Sequence, residues 1–176
     1  MVKLINQDYL TNKKRYLDVE KWLKQIVGAQ VEIEHVGSTA IPDIKGKNIV
    51  DILLGAKDKQ HFEELAQLLS ANGFFGSVRS KTDIYQFFAS RQEETGDGDV
   101  HIHLVVVGTD RHDEFLILRD FLLANKNEAQ QYSQHKEEIL NMGEIDRKTY
   151  REIKSRYVSA LIQRAKDWCN KQTLNN

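Results

Sequence analysis

Residues Glu32 to Leu54 read EIEHVGSTAIPDIKGKNIVDILL. Two strand-like apolar segments flank a loop that holds the only proline of the chain, Pro42, and the run Gly37-Ser38-Thr39. The second segment carries one carboxylate, Asp51, in an otherwise apolar row. A glycine at the turn lets backbone approach a ligand, and successive N–H groups with two hydroxyls can cradle phosphate oxygens. The competing reading is an ordinary turn with a helix cap. Neither GxxxxGK[ST] nor GxGxxG occurs here, so the common phosphate-loop fingerprints do not decide between them. Lys45 and Lys47 flank the loop and could meet phosphate charge, or could simply be solvated.

Asp51 is the sharper signal. An acid within NIVDILL is costly to bury unless it is paired, hydrogen-bonded or metal-bound. Strand side chains alternate, so Lys47, Ile49, Asp51 and Leu53 are expected on one face. His101 and His103 share a face of a later strand, an i, i+2 spacing that can set two imidazoles on one ion. With Asp51 they would make a mixed nitrogen and oxygen site for a divalent metal, one suited to zinc, manganese or iron rather than magnesium alone. The alternatives are a structural role for Asp51 and structural or substrate-contacting roles for the histidines. Asp99, of the same parity, is a further candidate partner. Arg119 sits inside the apolar run Phe115 to Leu123, where it either snorkels outward or reaches an anion. Lys136, Glu137 and Glu138 read as a solvated helix face. A serine hydrolase is excluded because GST is not a GxSxG elbow, and glycosidase chemistry because only one carboxylate is well placed.

The 176 residues suit one domain spanning 1–176, large enough to bury roughly 70% of the unfolded chain's surface. Lys and Arg number 25 against 26 Asp and Glu, a net charge of -1, which argues against affinity built on duplex nucleic acid. The single cysteine, Cys169, cannot form an internal disulfide. Nothing at the N-terminus reads as a signal peptide, and no apolar run approaches the ~20 residues that span a bilayer. A cytoplasmic protein without membrane contact is expected.

Helical spacing predicts a first helix over 6–27, stopped by Gly28. Strands are expected over 31–36 and 47–54, then a helix capped by Asp58 with Phe62, Leu65, Ala66 and Leu69 as its stripe. Residues 74–78, 84–90 and 101–107 read as further strands, with Gly96-Asp97-Gly98-Asp99 as a sharp turn. After Gly108 everything reads as helix, capped by Thr109 or Asp110, interrupted at 125–127 and restarted at Asp146. Tyr150, Ile153, Tyr157, Leu161, Ala165 and Trp168 share one face of the last helix. An α/β part over about 1–108 followed by a helical part over about 109–176 points to an α+β class rather than a doubly wound fold.

EHVGSTAIPDIKGKNIVDILL resembles the opening motif of the GrpB family of the nucleotidyltransferase superfamily, whose members occur alone and fused to dephospho-CoA kinase. The likeness continues in VHIHLVVVG, in LRDFLLANKNEAQQYSQHKEEI and in Tyr150-Arg151-Glu152-Ile153-Lys154, so it covers nearly the whole chain. It implies a nucleotidyltransferase-like mixed β-sheet flanked by helices, with a C-terminal helical region. It further implies that the Gly37-Ser38 turn grips a nucleotide's phosphates, with Asp51 as metal ligand; on a catalytic reading Gly37, Ser38 and Thr39 would hold phosphates, Lys47 and Arg119 would counter charge and His35 would orient substrate. Asp51, with His101 and His103, would ligate one divalent ion, magnesium, manganese or zinc. The expected ligand is a phosphate-bearing small molecule, a nucleotide or a coenzyme A precursor. Active nucleotidyltransferases carry a second acid two residues after the first and a third on a later strand, and use two metal ions. Here Leu53 occupies the second position and histidines the later strand. Two implied outcomes follow: a metal-dependent transferase with an incomplete carboxylate set, or a non-catalytic binding or interaction module on the same fold. Smaller departures are Asp43 where the family commonly has glycine and Asn48 where it commonly has proline.

Overall fold

The computed structural model describes residues 3–90, 98–144 and 146–174. Its strands are β1 (Ile5–Asn6), β2 (Glu32–Val36), β3 (Lys45–Gly46), β4 (Val50–Ala56), β5 (Phe74–Gly76), β6 (Tyr85–Ser90) and β7 (Val100–Val106). Its helices are α1 (Tyr9–Val27), α2 (Lys59–Ala71), α3 (Asp110–Ala124), α4 (Lys126–Asn141) and α5 (Arg147–Leu174). Five strands form a mixed sheet in the order β2-β4-β7-β6-β5, in which β4 and β7 run parallel and every other pair is antiparallel. The α+β class and the mixed sheet flanked by helices are as expected. Gly96 and Asp97 of the expected turn lie outside the described residues.

Alternation along the strands sorts the sheet into two faces. Ile52, Leu54, Ile102, Leu104 and Phe88 are fully or almost fully buried on one face, against Leu23 of α1 and Phe62, Leu65 and Leu69 of α2. Each such side chain contributes roughly 1.5–3 kcal/mol through burial. Asp8 caps α1 through a hydrogen bond accepted from the Leu10 N–H, and Asp58 caps α2 by accepting from the His61 N–H. The helix predicted from Asn6 therefore begins at Tyr9, because Ile5 and Asn6 are drawn into a two-stranded pairing with Lys45 and Gly46.

The opposite face carries Val36, Leu53 and Val105, a small buried patch roofed by Phe115 and Leu116 of α3. Beyond it the three C-terminal helices share a second core, in which Ile41 and Ile44 of the loop pack with Phe121, Leu122, Tyr132, Leu161 and Ala165. The loop is also tied to α4 by polar contacts. Ser133 Oγ accepts from the Lys45 N–H at 2.8 Å, and Lys136 Nζ donates to the Lys45 carbonyl. Lys136 is only 2% exposed, so the solvated face expected for 136–138 is corrected at that residue: the helix turns the lysine into the protein, while Glu138 stays exposed. The strand expected over 47–54 instead begins at Val50, because Asn48 takes a left-handed φ of 60° that no strand continues through.

His112, 6% exposed in the first turn of α3, lies 2.7 Å from Glu32 Oε1 on edge strand β2 and 3.0 Å from Asp113 Oδ1. Burial works to lower its pKa, but hydrogen bonds and charge from Asp113 and Glu32 outweigh burial and raise it. The fold thus favours the charged ring. Its contribution is complete below the ordinary imidazole value of about 6.5 and is lost as pH rises through the raised folded-state value. The melting-temperature gap between wild type and His112→Ala should accordingly be widest near about pH 6 and shrink by about pH 9; a gap independent of pH would show that charge plays no part.

Gly37 closes β2 with a φ of 71°, and a Cβ there would stand 2.3 Å from Asp51 Oδ2. Both the backbone and the contact require glycine. Gly37→Ala should lower unfolding free energy by on the order of 1–3 kcal/mol in urea titrations, and a neutral result would mean that the carboxylate swings aside freely.

Candidate functional site

Pairing register decides which side chains meet. Asp51 lies opposite His101 across the parallel β4–β7 pair, and both have the parity of the helix-facing side, as do His103, Tyr85 and Phe87. His101 Nδ1 is 3.2 Å and His103 Nε2 3.7 Å from the same atom, Asp51 Oδ1. Tyr85 Oη stands 3.0 Å from His103 Nδ1, and the Arg111 guanidinium lies over the rings of Tyr85 and Phe115. Phe87 meets His101 edge-on at 4.8 Å, while Phe115 packs 4.5 Å from His103. Burial alone would raise the pKa of Asp51, but the hydrogen bonds and charges of His101 and His103 overcome it and hold the carboxyl well below the usual carboxylate range. The His103 ring is shifted downward, chiefly by burial, against the pull of Asp51.

Two connected spaces open on this cluster. A chamber of about 590 Å³ has a largely apolar and aromatic wall that includes Phe87, Phe115, Leu118, Leu122, Tyr150 and Val158. Its size falls within the ~300–1,000 Å³ usual for small-molecule sites. A smaller pocket of about 140 Å³ adjoins it and is lined by Gly37, Ser38, Lys47, Asp51, Lys136 and Lys154. That volume equals roughly four or five waters at ~30 Å³ each. Asp51, His101, Lys47 and Lys154 border both spaces.

The structure brings together Gly37, Ser38, Lys47, Asp51, His101 and His103 of the expected set. It separates others. His35 pairs with Ile52 in the antiparallel β2–β4 ladder and so faces away from Asp51, where it stacks on Tyr16 at 4.6 Å. Its Nε2 lies 3.0 Å from Thr39 Oγ1, and Thr39 is 1% exposed. Neither lines the chamber or the inner pocket. Burial first, then Arg119 against an opposing pull from Asp51, brings the His35 pKa down to about 4, so the ring is neutral in the fold. His35 and Thr39 brace the turn from behind. Arg119 does border the chamber, but its guanidinium is held by Glu34 Oε2 at 2.6 Å and Asp120 Oδ1 at 2.8 Å, so its charge is already balanced. Asp99 joins Ser90 and Arg15 at the start of β7 rather than Asp51.

The donor set does not match a two-metal centre. Leu53, in the position of a second carboxylate, is 0% exposed in its apolar patch. Both imidazoles converge on one oxygen of Asp51, His101 at hydrogen-bond distance and His103 at 3.7 Å, and the other oxygen lies against Gly37. Among the described residues no three His, Cys, Asp or Glu side chains are arranged to hold a metal ion. Asp51, His101 and His103, the residues expected to ligate one ion, do lie together, with a nitrogen of each ring within 3.7 Å of the same carboxylate oxygen.

Reading the sequence missed Tyr85, Lys136 and Lys154 as members of the site. Lys136 Nζ lies 4.5 Å from the Tyr132 ring centroid in addition to its contact with the Lys45 carbonyl. Burial first and the Lys154 charge second bring its pKa down to about 7, against Asp51 and Glu137. Lys154 is shifted upward instead, by Tyr132 first, against its burial, and then by Asp51 and Tyr150. Its place in a stretch ending Tyr150-Arg151-Glu152-Ile153-Lys154, one helical turn from buried Tyr150, was the only available hint.

Comparison with known proteins agrees with this architecture. The solved structure of GrpB from Enterococcus faecalis superposes with a TM-score of 0.79 over 94% of this chain and 99% of that one, at 18% identity. The Cid1 poly(U) polymerase, solved with MgGTP bound, shares the nucleotidyltransferase fold more distantly, with a TM-score of 0.52 over 76% of this chain and 43% of that one, at 15% identity. In sequence, the glutamate-rich protein GrpB of Alkalihalophilus pseudofirmus is 31% identical over 155 residues, 86% of this chain and 89% of that one. A UPF0157 protein of Streptomyces coelicolor is 30% identical over 159 residues, 90% and 78% of the two chains. The family model described as GrpB protein matches residues 5–164, and the chain belongs to the GrpB family.

Proposed function

We propose that the cleft binds a phosphate-bearing small molecule, a nucleotide or a coenzyme A precursor, in a cytoplasmic setting. Its phosphates occupy the inner pocket and the remainder of the molecule occupies the chamber. The observation that carries this reading is the convergence of Lys47 from the loop, Lys136 from α4 and Lys154 from α5 on one small pocket beside Ser38 and Gly37. Lys136 is almost fully buried, and an anion placed beside it offsets the cost of holding its charge away from water. The apolar and aromatic wall of the adjoining chamber suits a base or an acyl-type arm. Fixing orientation through a few polar groups at one end of an otherwise apolar site is the usual economy of small-molecule recognition.

Leu53 in the place of a second carboxylate favours a reading in which ligand binding does not depend on a metal pair. A thermal-shift panel of ATP, GTP, dephospho-CoA and coenzyme A, each with magnesium, manganese, zinc or excess EDTA, tests both points. Ligand at ~100 times its dissociation constant adds roughly 2.7 kcal/mol, a rise of several degrees for a chain of this size. The rise should persist in EDTA and be reduced by more than half in Lys154→Gln and in Lys136→Met. No rise with any member of the panel would overturn the binding proposal, and a rise abolished by EDTA would overturn its independence of metal.

A further inference from the structure

Positive charge at the cleft extends beyond the inner pocket. Helix α5 sets Lys148, Arg151 and Lys154 three residues apart, so successive members are neighbours on its surface. Lys154 borders the inner pocket and the chamber, Arg151 the chamber and a shallow outer depression, and Lys148 that depression. The row therefore leads from the surface inward. From the sheet side, the short turn Val78–Ser80 between β5 and β6 adds Arg79 to the chamber wall. That turn is pinned in place. Ser80 Oγ donates to the Ser77 carbonyl at 3.1 Å and accepts from the Phe87 N–H at 3.1 Å, and Lys81 pairs with Glu63 at 3.1 Å. Elsewhere carboxylates balance the arginines: Arg15 meets Asp99, Arg111 meets Glu114, Arg119 meets Glu34 and Asp120, and Arg164 meets Glu128. Among the described residues, Arg79 and Arg151 meet no carboxylate, and both are exposed. Of the described side chains that line the chamber, Asp51 carries the one carboxylate, against Lys47, Arg79, Arg119, Arg151 and Lys154.

We propose that Arg79 and Arg151 form a second phosphate subsite at the mouth of the chamber, which selects a nucleoside bisphosphate carrying one phosphate on each side of its sugar. The proposal rests on the phosphate-binding reading above and narrows the ligand class for the same cleft. One phosphate lies among the lysines of the inner pocket, the nucleoside lies along the aromatic wall, and the remote phosphate meets the two guanidinium groups. A guanidinium presents a planar fork of donors that matches phosphate oxygens in pairs, whereas an ammonium acts as a point charge. Arg119 does not serve this purpose, because Glu34 and Asp120 already occupy its donors. A ligand whose phosphates are joined in one chain fills the inner pocket and leaves the mouth without a partner. The two sites therefore discriminate by the separation between phosphates rather than by their number. A long nucleic-acid strand is disfavoured by the chain's net charge of -1, since such binding draws on many phosphate contacts at once.

The test uses the intact chain, in EDTA and again with magnesium, and reads affinity by calorimetry. The probes are adenosine 5′-phosphate, adenosine 5′-diphosphate and adenosine 3′,5′-bisphosphate. The bisphosphate should bind at least about tenfold tighter than the monophosphate. In Arg79→Gln and in Arg151→Gln that advantage should fall below about threefold. Arg156→Gln, which borders the outer depression and not the chamber, should keep it. The diphosphate carries its two phosphates joined, so it should lose less affinity than the bisphosphate in Arg79→Gln and Arg151→Gln. An equal loss for both would mark a diffuse effect of charge and overturn the subsite. A bisphosphate advantage that is absent, or that survives both substitutions, would also overturn it, while binding of the monophosphate would leave the inner-pocket reading standing. Failure of all three probes to bind would remove both. A 5′-phosphorylated tetra-adenylate that binds tighter than the bisphosphate would assign the mouth to nucleic acid and overturn the small-molecule proposal.

Discussion

A carboxylate placed in the middle of a sheet, at the seam of two parallel strands, is the constraint from which the rest of this molecule follows. Asp51 cannot be removed from water unless its oxygens are satisfied. The neighbouring strand supplies two imidazoles to one oxygen, and the turn at Gly37 is pressed against the other. Those two demands explain the glycine at 37, the His-x-His spacing on β7 and the aromatic residues on β6 that support the histidines. The helices complete the enclosure. They carry two lysines into the space that the sheet leaves open, so positive charge reaches the site from parts of the chain that are remote in sequence.

Much of this was legible in the amino-acid sequence. Period-two alternation identified β2, apolar runs bounded by turn residues identified β4, β6 and β7, and i, i+3, i+4 spacing found α2 and the buried face of α5, where Tyr150, Leu161 and Ala165 are indeed covered. Asp51 and the two histidines were identifiable because a polar residue inside an apolar strand has few inexpensive explanations. The errors came from facts that single strands do not contain. Whether His35 faces Asp51 depends on the β2–β4 register, and a partner of Ile52 necessarily points to the other side. Whether Lys136 is solvated depends on how α4 is rotated against the loop, which the local pattern Lys-Glu-Glu contradicts. Arg119 was correctly suspected of seeking an anion, but the anions are protein carboxylates supplied by Glu34 and Asp120.

The relationship to nucleotidyltransferases is one of scaffold. The GrpB chain from Enterococcus faecalis matches over almost its entire length, whereas the polymerase Cid1 shares the fold at low sequence identity. Across both comparisons the fold is retained. Replacing an acid by Leu53 is not a neutral loss, because that leucine completes the patch on which Phe115 and Leu116 seat α3. A carboxylate there would displace the leucine that packs under α3 and would stand directly opposite His103 in the β4–β7 register.

The loop at 42–48 bears on consensus design. Two of its residues, Asp43 and Asn48, adopt left-handed backbone with φ of 59° and 60°. The family's common glycine at 43 would accept that conformation without strain, as an engineer averaging relatives would hope. Its common proline at 48 would not, since the ring holds φ near −65°. The Asn48 carbonyl and side-chain oxygen also accept from Arg15 in α1, which fastens this bend to the first helix. The same averaging procedure is therefore expected to stabilise one end of the loop and break the other.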